Sequence, residues 1–311
     1  MKRCLTLTFE KIQDLRYGEN AHQKAAFYRE PKFKGACVAN STQLHGKMLS
    51  FNNIVDLDAA LELVKEFERP AVAIIKHTNP CGAACGDNIY AAYKKAHASD
   101  PLSAFGSIVA LNRECDLETA KEVTSTFVEA MISPSYNEDA LERLKQKKNL
   151  RVLEVGDLIK TTEKDMKKVV GGLLVQDRDV MDMGDLNIVT EQKPSEEEIK
   201  TLLFVWKVVK HVKSNAIVLA RDEQTLGVGA GQMSRVDAVE IAVKKAGNRT
   251  QKSCMASDAF FPFRDAIDVA ANAGITAIIQ PGGSIRDDEI IQAANDYNIP
   301  MVFTGIRHFK H

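Results

Sequence analysis

Short apolar runs alternate along this chain with stretches whose apolar residues recur at helical spacing. Residues 71–75 (AVAII), 108–111 (IVAL), 216–220 and 275–280 are runs of strand length, and 71–75 fits a fully buried strand. Shorter strands are predicted at 131–133, 152–153, 172–176 and 300–304. Helices are predicted between them: one carrying Ile54, Leu57, Ala60, Leu61 and Val64, then one from Asp87 onward, and others over 117–130, 141–148, 199–212, 236–245 and 287–297. The stretch 117–130 is expected to stay helical to near Glu129, and 43–47 to be a polar loop. Ser195, with Glu198 three residues on and Pro194 before it, is the signature of a helix N-terminus. Strands alternating with helices give an α/β chain of two related halves, divided at that cap into 1–195 and 196–311.

Around residues 76–82 the pattern acquires chemistry. The apolar run ends in Lys76-His77, and Asn79-Pro80-Cys81-Gly82 is expected to turn the chain. A cation and an imidazole then stand together at a strand's carboxyl end, where open α/β sheets place ligands. Imidazole exchanges protons near neutral pH, and an ammonium beside it stabilises developing negative charge. A plain surface Lys-His pair reads the same locally. Arg16-Tyr17 offers a planar fork and a flat ring within a polar tract that also reads as a surface turn. Gly229-Ala230-Gly231 before a helix is similar to a phosphate loop, but Ser234 takes the place of the third glycine and no P-loop lysine follows. Residues 258–265 (DAFFPFRD) form an aromatic cluster that suits either a core or a wall for a flat heterocycle.

Composition narrows the class. A formal net charge of −1 gives no global basic field for nucleic acid, so an anionic ligand needs a few placed cations. No apolar run approaches the about 18 residues of a membrane span, and the N-terminus lacks a signal-peptide pattern. Six sparse, irregularly spaced cysteines suit reduced thiols in a cytoplasmic enzyme.

Taken in order, RYGEN (16–20), KHTNPCG (76–82), KSNA (213–216), GAGQMSR (229–235), 257–265, 280–286 and RHFKH (307–311) resemble a known family. It is the formyltransferase domain of the bifunctional purine enzymes, AICAR (phosphoribosylaminoimidazolecarboxamide) formyltransferase, and the resemblance runs from residue 10 to 311. It implies duplicated cytidine-deaminase-like α/β subdomains with mixed sheets and flanking helices. It also implies transfer of a formyl group from 10-formyltetrahydrofolate to the 5-amino group of AICAR. By resemblance, His77 accepts the proton, Lys76 stabilises the tetrahedral transition state and Asn215 positions the formyl group. Arg16, Tyr17, Gly106, Glu129, Asp265, Arg307, Phe309 and His311 match nucleotide positions, and Arg235, Phe260, Ser284 and Ile285 match folate positions. The family implies a homodimer with active sites at the interface, no catalytic metal, and room for a monovalent cation.

Ala21 and Ser107 depart from the usual family pattern, and the segment between Arg235 and Ser257 is short. Met1 stands close before Arg16, which leaves no room for the family's further N-terminal domain of about 200 residues. Formyl transfer without ring closure is therefore expected. A zinc deaminase is disfavoured, since Cys85 lies one residue too far from Pro80-Cys81 and no His-x-Glu precedes them. The remaining rival is a catalytically silent nucleotide- and folate-binding dimer, against which the intact Lys76, His77 and Asn215 argue.

Overall fold

The computed structural model describes residues 3–159, 163–181 and 186–311. The stretch 156–195, rich in Lys, Asp and Gly and read from its sequence as irregular connections around the 172–176 strand, lies partly outside them, as do Met1 and Lys2. The chain forms two compact units, Met1–Leu158 and Ile159–His311.

The first unit opens with a separate antiparallel hairpin of β1 (Glu10–Leu15) and β2 (Ala25–Arg29). β3 (Thr42–His45), α1 (Phe51–Val64), β4 (Ala71–Lys76), β5 (Asn79–Cys85), α2 (Ile89–Ser99) and the one-turn α3 (Pro101–Ala104) follow. β6 (Ser107–Leu111), α4 (Leu117–Ser125), β7 (Val128–Ser133), α5 (Glu138–Lys145) and β8 (Arg151–Glu154) complete the unit. Its sheet runs β5-β4-β6-β7-β8-β3. β4 is antiparallel to β5 and β6, the β6-β7-β8 neighbours are parallel, and β3 returns antiparallel on β8.

Both faces of this sheet are covered, which is why its strands read as unbroken apolar runs. Val72, Ile74, Val109, Leu111, Met131 and Val152 pack with Ala92, Tyr93, Val123 and Leu144 of α2, α4 and α5. The alternate residues of the same strands, Ala73, Ile75 and Ile108, are equally buried and point to the opposite face. There α1, with Leu57, Leu61 and Val64 fully buried, packs on β4, β6 and β7.

The second unit opens with the hairpin of β9 (Lys164–Val169) and β10 (Gly172–Asp177). Its sheet is built from β11 (Asn187–Ile188), β12 (Ile217–Arg221), β13 (Gln224–Gly229), β14 (Ser253–Ser257), β15 (Ile275–Gln280) and β16 (Met301–Phe303). The helices are α6 (Glu196–Val209), α7 (Arg235–Ala246), α8 (Asp265–Asn272) and α9 (Asp287–Asp296). Strand order is β11-β16-β15-β14-β12-β13, with β12 antiparallel to β13 and β14, then parallel steps to β15 and β16, and β11 antiparallel on β16. Order and directions thus repeat those of the first unit. α6 begins at the Ser195–Glu198 capping box that the sequence marks. The two compact units meet at residues 158 and 159, earlier than that cap, because β11 pairs with β16 and Asp179 reaches His308.

In both units glycine lets a hairpin's second strand press against the helix that follows. A Cβ on Gly82 would sit 2.0 Å from the Ala96 carbonyl oxygen of α2, and one on Gly229 would sit 1.9 Å from that of Ala238 in α7. Four local readings are corrected. Residues 79–82 lie in β5 rather than a turn: Lys76 pairs with Asn79, and the loop is His77-Thr78, with Pro80 accommodated where the register shifts. Likewise Gln224-Thr225, which by its sequence reads as the turn after the 216–220 strand, lies in the second hairpin's returning strand, and the chain turns at Asp222-Glu223. α4 stops at Ser125, so Glu129 stands on β7, and the expected 43–47 loop begins within β3 because that stretch pairs with β8.

Candidate functional site

In the first unit the chemistry gathers at the end of β4. Lys76 is half-buried, and its Nζ donates to the carbonyls of Phe105 (2.8 Å) and Gly106 (3.0 Å). An ammonium carries three donors, so these two contacts aim the group and leave one N–H for a ligand. Gly106 has φ +69, and a Cβ there would come within 3.3 Å of Lys76 Nζ. This is a close approach as well as a turn, and it explains the residue type.

His77 is exposed and sits in the loop between β4 and β5 with φ 51, followed by Thr78 with φ 62. The His77 carbonyl accepts from Thr78 Oγ1 at 2.7 Å and from Asn79 Nδ2 at 3.1 Å. The Thr78 amide donates to Asp56 Oδ1 at 2.7 Å. Burial pushes the Asp56 carboxyl up, while the amides of Thr78 and His77 and the charges of His77 and Lys76 pull it back down, leaving it above its usual value. In the sequence Asp56 is only an acid near the start of the helix that carries Leu57. Its one legible signal was a polar position beside the buried Leu57.

The other first-unit candidates lie on separate elements. Arg16 is exposed, its guanidinium carbon 5.6 Å from the centre of the Tyr17 ring, just beyond β1. Glu129 on β7 takes an ion pair from Arg151 at 2.7 Å. Gly106 is tied to the same region, because its amide donates to the Phe127 carbonyl at 2.7 Å.

In the second unit three of the sequence motifs converge. The buried Arg235 guanidinium pairs with Asp258 and donates to Ser257 Oγ at 3.0 Å, to the Ala216 carbonyl at 3.2 Å and to Asn215 Oδ1 at 2.8 Å. Asn215 Nδ2 in turn donates to the carbonyls of Gln232 (2.9 Å) and Met233 (3.2 Å). The loop before α7 therefore turns carbonyl oxygens toward Asn215. An anion needs N–H groups, and Gly229 is accounted for by packing on α7, so the phosphate-loop reading is not sustained.

Asp258 is fully buried and organises this cluster. Besides Arg235 it takes the Ser214 hydroxyl and the Ala216 amide (3.1 Å). The 258–265 stretch begins at Asp258, but nothing local distinguishes it from Asp265.

Ser214 also ties down the C-terminal tail: its Oγ accepts from the Lys310 amide at 3.0 Å, and its amide donates to the Lys310 carbonyl at 3.0 Å. Lys213 Nζ donates to the His311 carbonyl at 2.8 Å. Burial and the neighbouring Lys167 ammonium pull the Lys213 pKa below the ordinary lysine value. On the tail, Arg307 lies over the Phe309 ring at 4.4 Å, and the Phe309 and His311 rings are 5.6 Å apart.

The remaining predicted residues are placed as follows. Phe260 is 36% exposed whereas Phe261 is fully buried, so the aromatic stretch serves both as core and as surface. Ile285 is fully exposed, and Ser284 Oγ accepts from the Arg286 amide at 3.1 Å. Asp265 is exposed at the start of α8, where its carboxylate accepts from the Ala266 amide at 2.7 Å. The structure thus joins Lys76 with Gly106 and Asn215 with Arg235, while Ser214 and Lys213 beside Asn215 hold the tail.

A family model described as "AICARFT/IMPCHase bienzyme" matches residues 1–245. Curated relatives named "Bifunctional purine biosynthesis protein PurH" are similar over almost the whole chain. The protein of Acetivibrio thermocellus is 56% identical over 314 residues, covering 99% of this chain and 61% of the relative. Those of Magnetococcus marinus and Bacillus cereus are 56% identical over 323 and 310 residues, covering 98% and 99% of this chain. This chain therefore spans 61% of the length of the curated relatives it matches.

Proposed function

Because the chain belongs to the AICARFT/IMPCHase bienzyme family, we propose that it transfers the formyl group of 10-formyltetrahydrofolate to the 5-amino group of AICAR in purine biosynthesis. The observation that carries this reading is the pair at the end of β4: an exposed imidazole, His77, beside an ammonium, Lys76, aimed by two carbonyls.

The chemistry asks for these groups. The AICAR amine is a poor nucleophile, since its lone pair is delocalised into the ring and carboxamide. As it attacks the formyl carbon, a new N–C bond forms and the formyl oxygen becomes an oxyanion, which the remaining N–H of Lys76 stabilises. His77 removes the amine proton. Collapse breaks the bond between the formyl carbon and N10 of the folate, and His77 returns the proton to N10, so that tetrahydrofolate and formyl-AICAR leave.

Asn215 orients the formyl group. We assign Arg235 a role through Asn215, since its buried guanidinium is engaged within the unit and donates to the Asn215 side chain. Exposed Phe260 and Ile285, with Ser284, suit the folate's flat rings, and Arg16, Tyr17, Gly106, Glu129, Asp265, Arg307, Phe309 and His311 are assigned to AICAR. The exposed guanidinia of Arg16 and Arg307 suit its phosphate. We read the repeated strand order as a duplicated cytidine-deaminase-like unit, and the working protein as a cytoplasmic homodimer with active sites at the subunit interface.

The test is a spectrophotometric assay of the purified chain with AICAR and 10-formyltetrahydrofolate, run beside His77→Ala. Release of tetrahydrofolate with accumulation of formyl-AICAR, abolished in the variant, is expected. Binding of both ligands without turnover in the wild type would replace the proposal with a silent binder, and appearance of inosine monophosphate would add ring closure to it.

A further inference from the structure

The loop that presents His77 is an unfavourable one for its sequence. Two-residue hairpin loops with positive φ at both central positions are usually made by Asn-Gly or Asp-Gly. Here the two positions are His77 (φ 51) and Thr78 (φ 62), and Thr78 is β-branched, a poor choice for the left-handed region. Such a conformation persists only where its surroundings over-determine it.

The contacts that hold it are specific. Thr78 Oγ1 and Asn79 Nδ2 both donate to the His77 carbonyl, at 2.7 and 3.1 Å. Those two bonds arise within the loop itself. From another element, Asp56 of α1 reaches the loop backbone: its Oδ1 accepts the Thr78 amide at 2.7 Å, and the His77 amide acts on the same carboxylate. α1 is a rigid mount, capped by Ser50 and Asn53 and buried against the sheet through Leu57 and Leu61.

We propose that Asp56 is the positioning residue for His77: it ties the Thr78 amide to α1 and so fixes the direction in which the loop presents the imidazole. The assignment rests on the formyl-transfer reading for its functional consequence, and on geometry alone for the hold on the loop. The charged and titratable groups acting on the carboxylate are His77 and Lys76, both at the end of β4. Asp58, two residues further along α1, is exposed.

The role requires an acceptor at the Oδ1 position rather than a charge. Asp56→Asn keeps that acceptor, Asp56→Ala removes it, and Asp56→Glu moves it by one methylene. Two readouts are taken on the full chain: hydrogen exchange of the Thr78 amide without ligands, and steady-state kinetics with AICAR and 10-formyltetrahydrofolate. In Asp56→Ala the Thr78 amide should exchange at least about tenfold faster. Its kcat should fall about tenfold to hundredfold, while KM for AICAR stays within about threefold. Asp56→Asn should restore both exchange protection and kcat. Should Asp56→Ala fail to fold, the contrast of an impaired Asp56→Glu with a competent Asp56→Asn carries the same test.

Unchanged Thr78 exchange in Asp56→Ala and Asp56→Glu overturns the proposal, as does unchanged kcat in a variant whose loop has lost protection. Loss of kcat in Asp56→Asn with Thr78 still protected also overturns it, since charge rather than position would then matter. A wild-type chain without turnover sinks the formyl-transfer reading, while the exchange data still judge the hold on the loop.

Discussion

Arg235 and Asp258 form an ion pair whose side chains are 5% and 0% exposed, and it links the KSNA, GAGQMSR and 257–265 stretches of the chain. Removing one partner strands a charge that has no water to receive it. Asp258→Ala or Arg235→Ala should therefore cost about 3–5 kcal/mol. Chemical denaturation monitored by circular dichroism should show the lower midpoint. The joint change Arg235→Met with Asp258→Leu should cost clearly less than either, because no buried charge is left unpaired. Equal losses in the single and double variants would mean that packing, rather than pairing, sets the cost.

Gly106 carries the carbonyl that holds Lys76 and has φ +69. Gly106→Ala puts a side chain into the left-handed region at about 1–2 kcal/mol. The new methyl would also lie 3.3 Å from both Lys76 Nζ and the Phe127 ring. We expect a lower melting temperature together with a loss of formyl transfer that exceeds what partial unfolding explains. A stable variant of undiminished rate would show that the aim of the ammonium is not critical.

Asp179 meets the buried His308, with Oδ2 2.6 Å from Nδ1. Burial pushes its carboxyl up, but the His308 bond and charge, with Lys210 and His211, outweigh this and leave it below the ordinary carboxylate value. A lowered carboxyl contributes stability above its unfolded pKa and loses it as pH falls through the folded one. With Asp179 44% exposed, screening should hold the contribution to within about 1 kcal/mol. The stability gap between wild type and Asp179→Asn should be constant at neutral pH and close below about pH 4. Denaturation midpoints across the acid range would reveal a gap that instead widens in acid, which would contradict the pairing.

Much of the scaffold was legible in local pattern. The unbroken runs at 71–75, 108–111 and 275–280 became strands buried on both faces, and Ser195 with Glu198 caps α6 as its spacing requires. Each of these signals comes from covalent neighbours, whose periodicity and capping chemistry act within a few residues. The Lys76-His77 pair at a strand end was visible for the same reason.

Its setting was not. Asn79-Pro80-Cys81-Gly82 has good local turn chemistry, yet pairing with β4 across the hairpin draws it into β5 and moves the turn to His77-Thr78. Glu129 follows a helical stretch but stands on β7, because its neighbours Val128 and Ala130 pair in parallel with β6. Asp56 and Thr78 are 22 residues apart, and Arg235 and Asp258 are 23 apart. Nothing in the intervening sequence marks either pair, since both form only after helix and sheet have packed. A buried amide or guanidinium must then find an acceptor, and the nearest one the tertiary fold supplies is chosen by position in space, not along the chain.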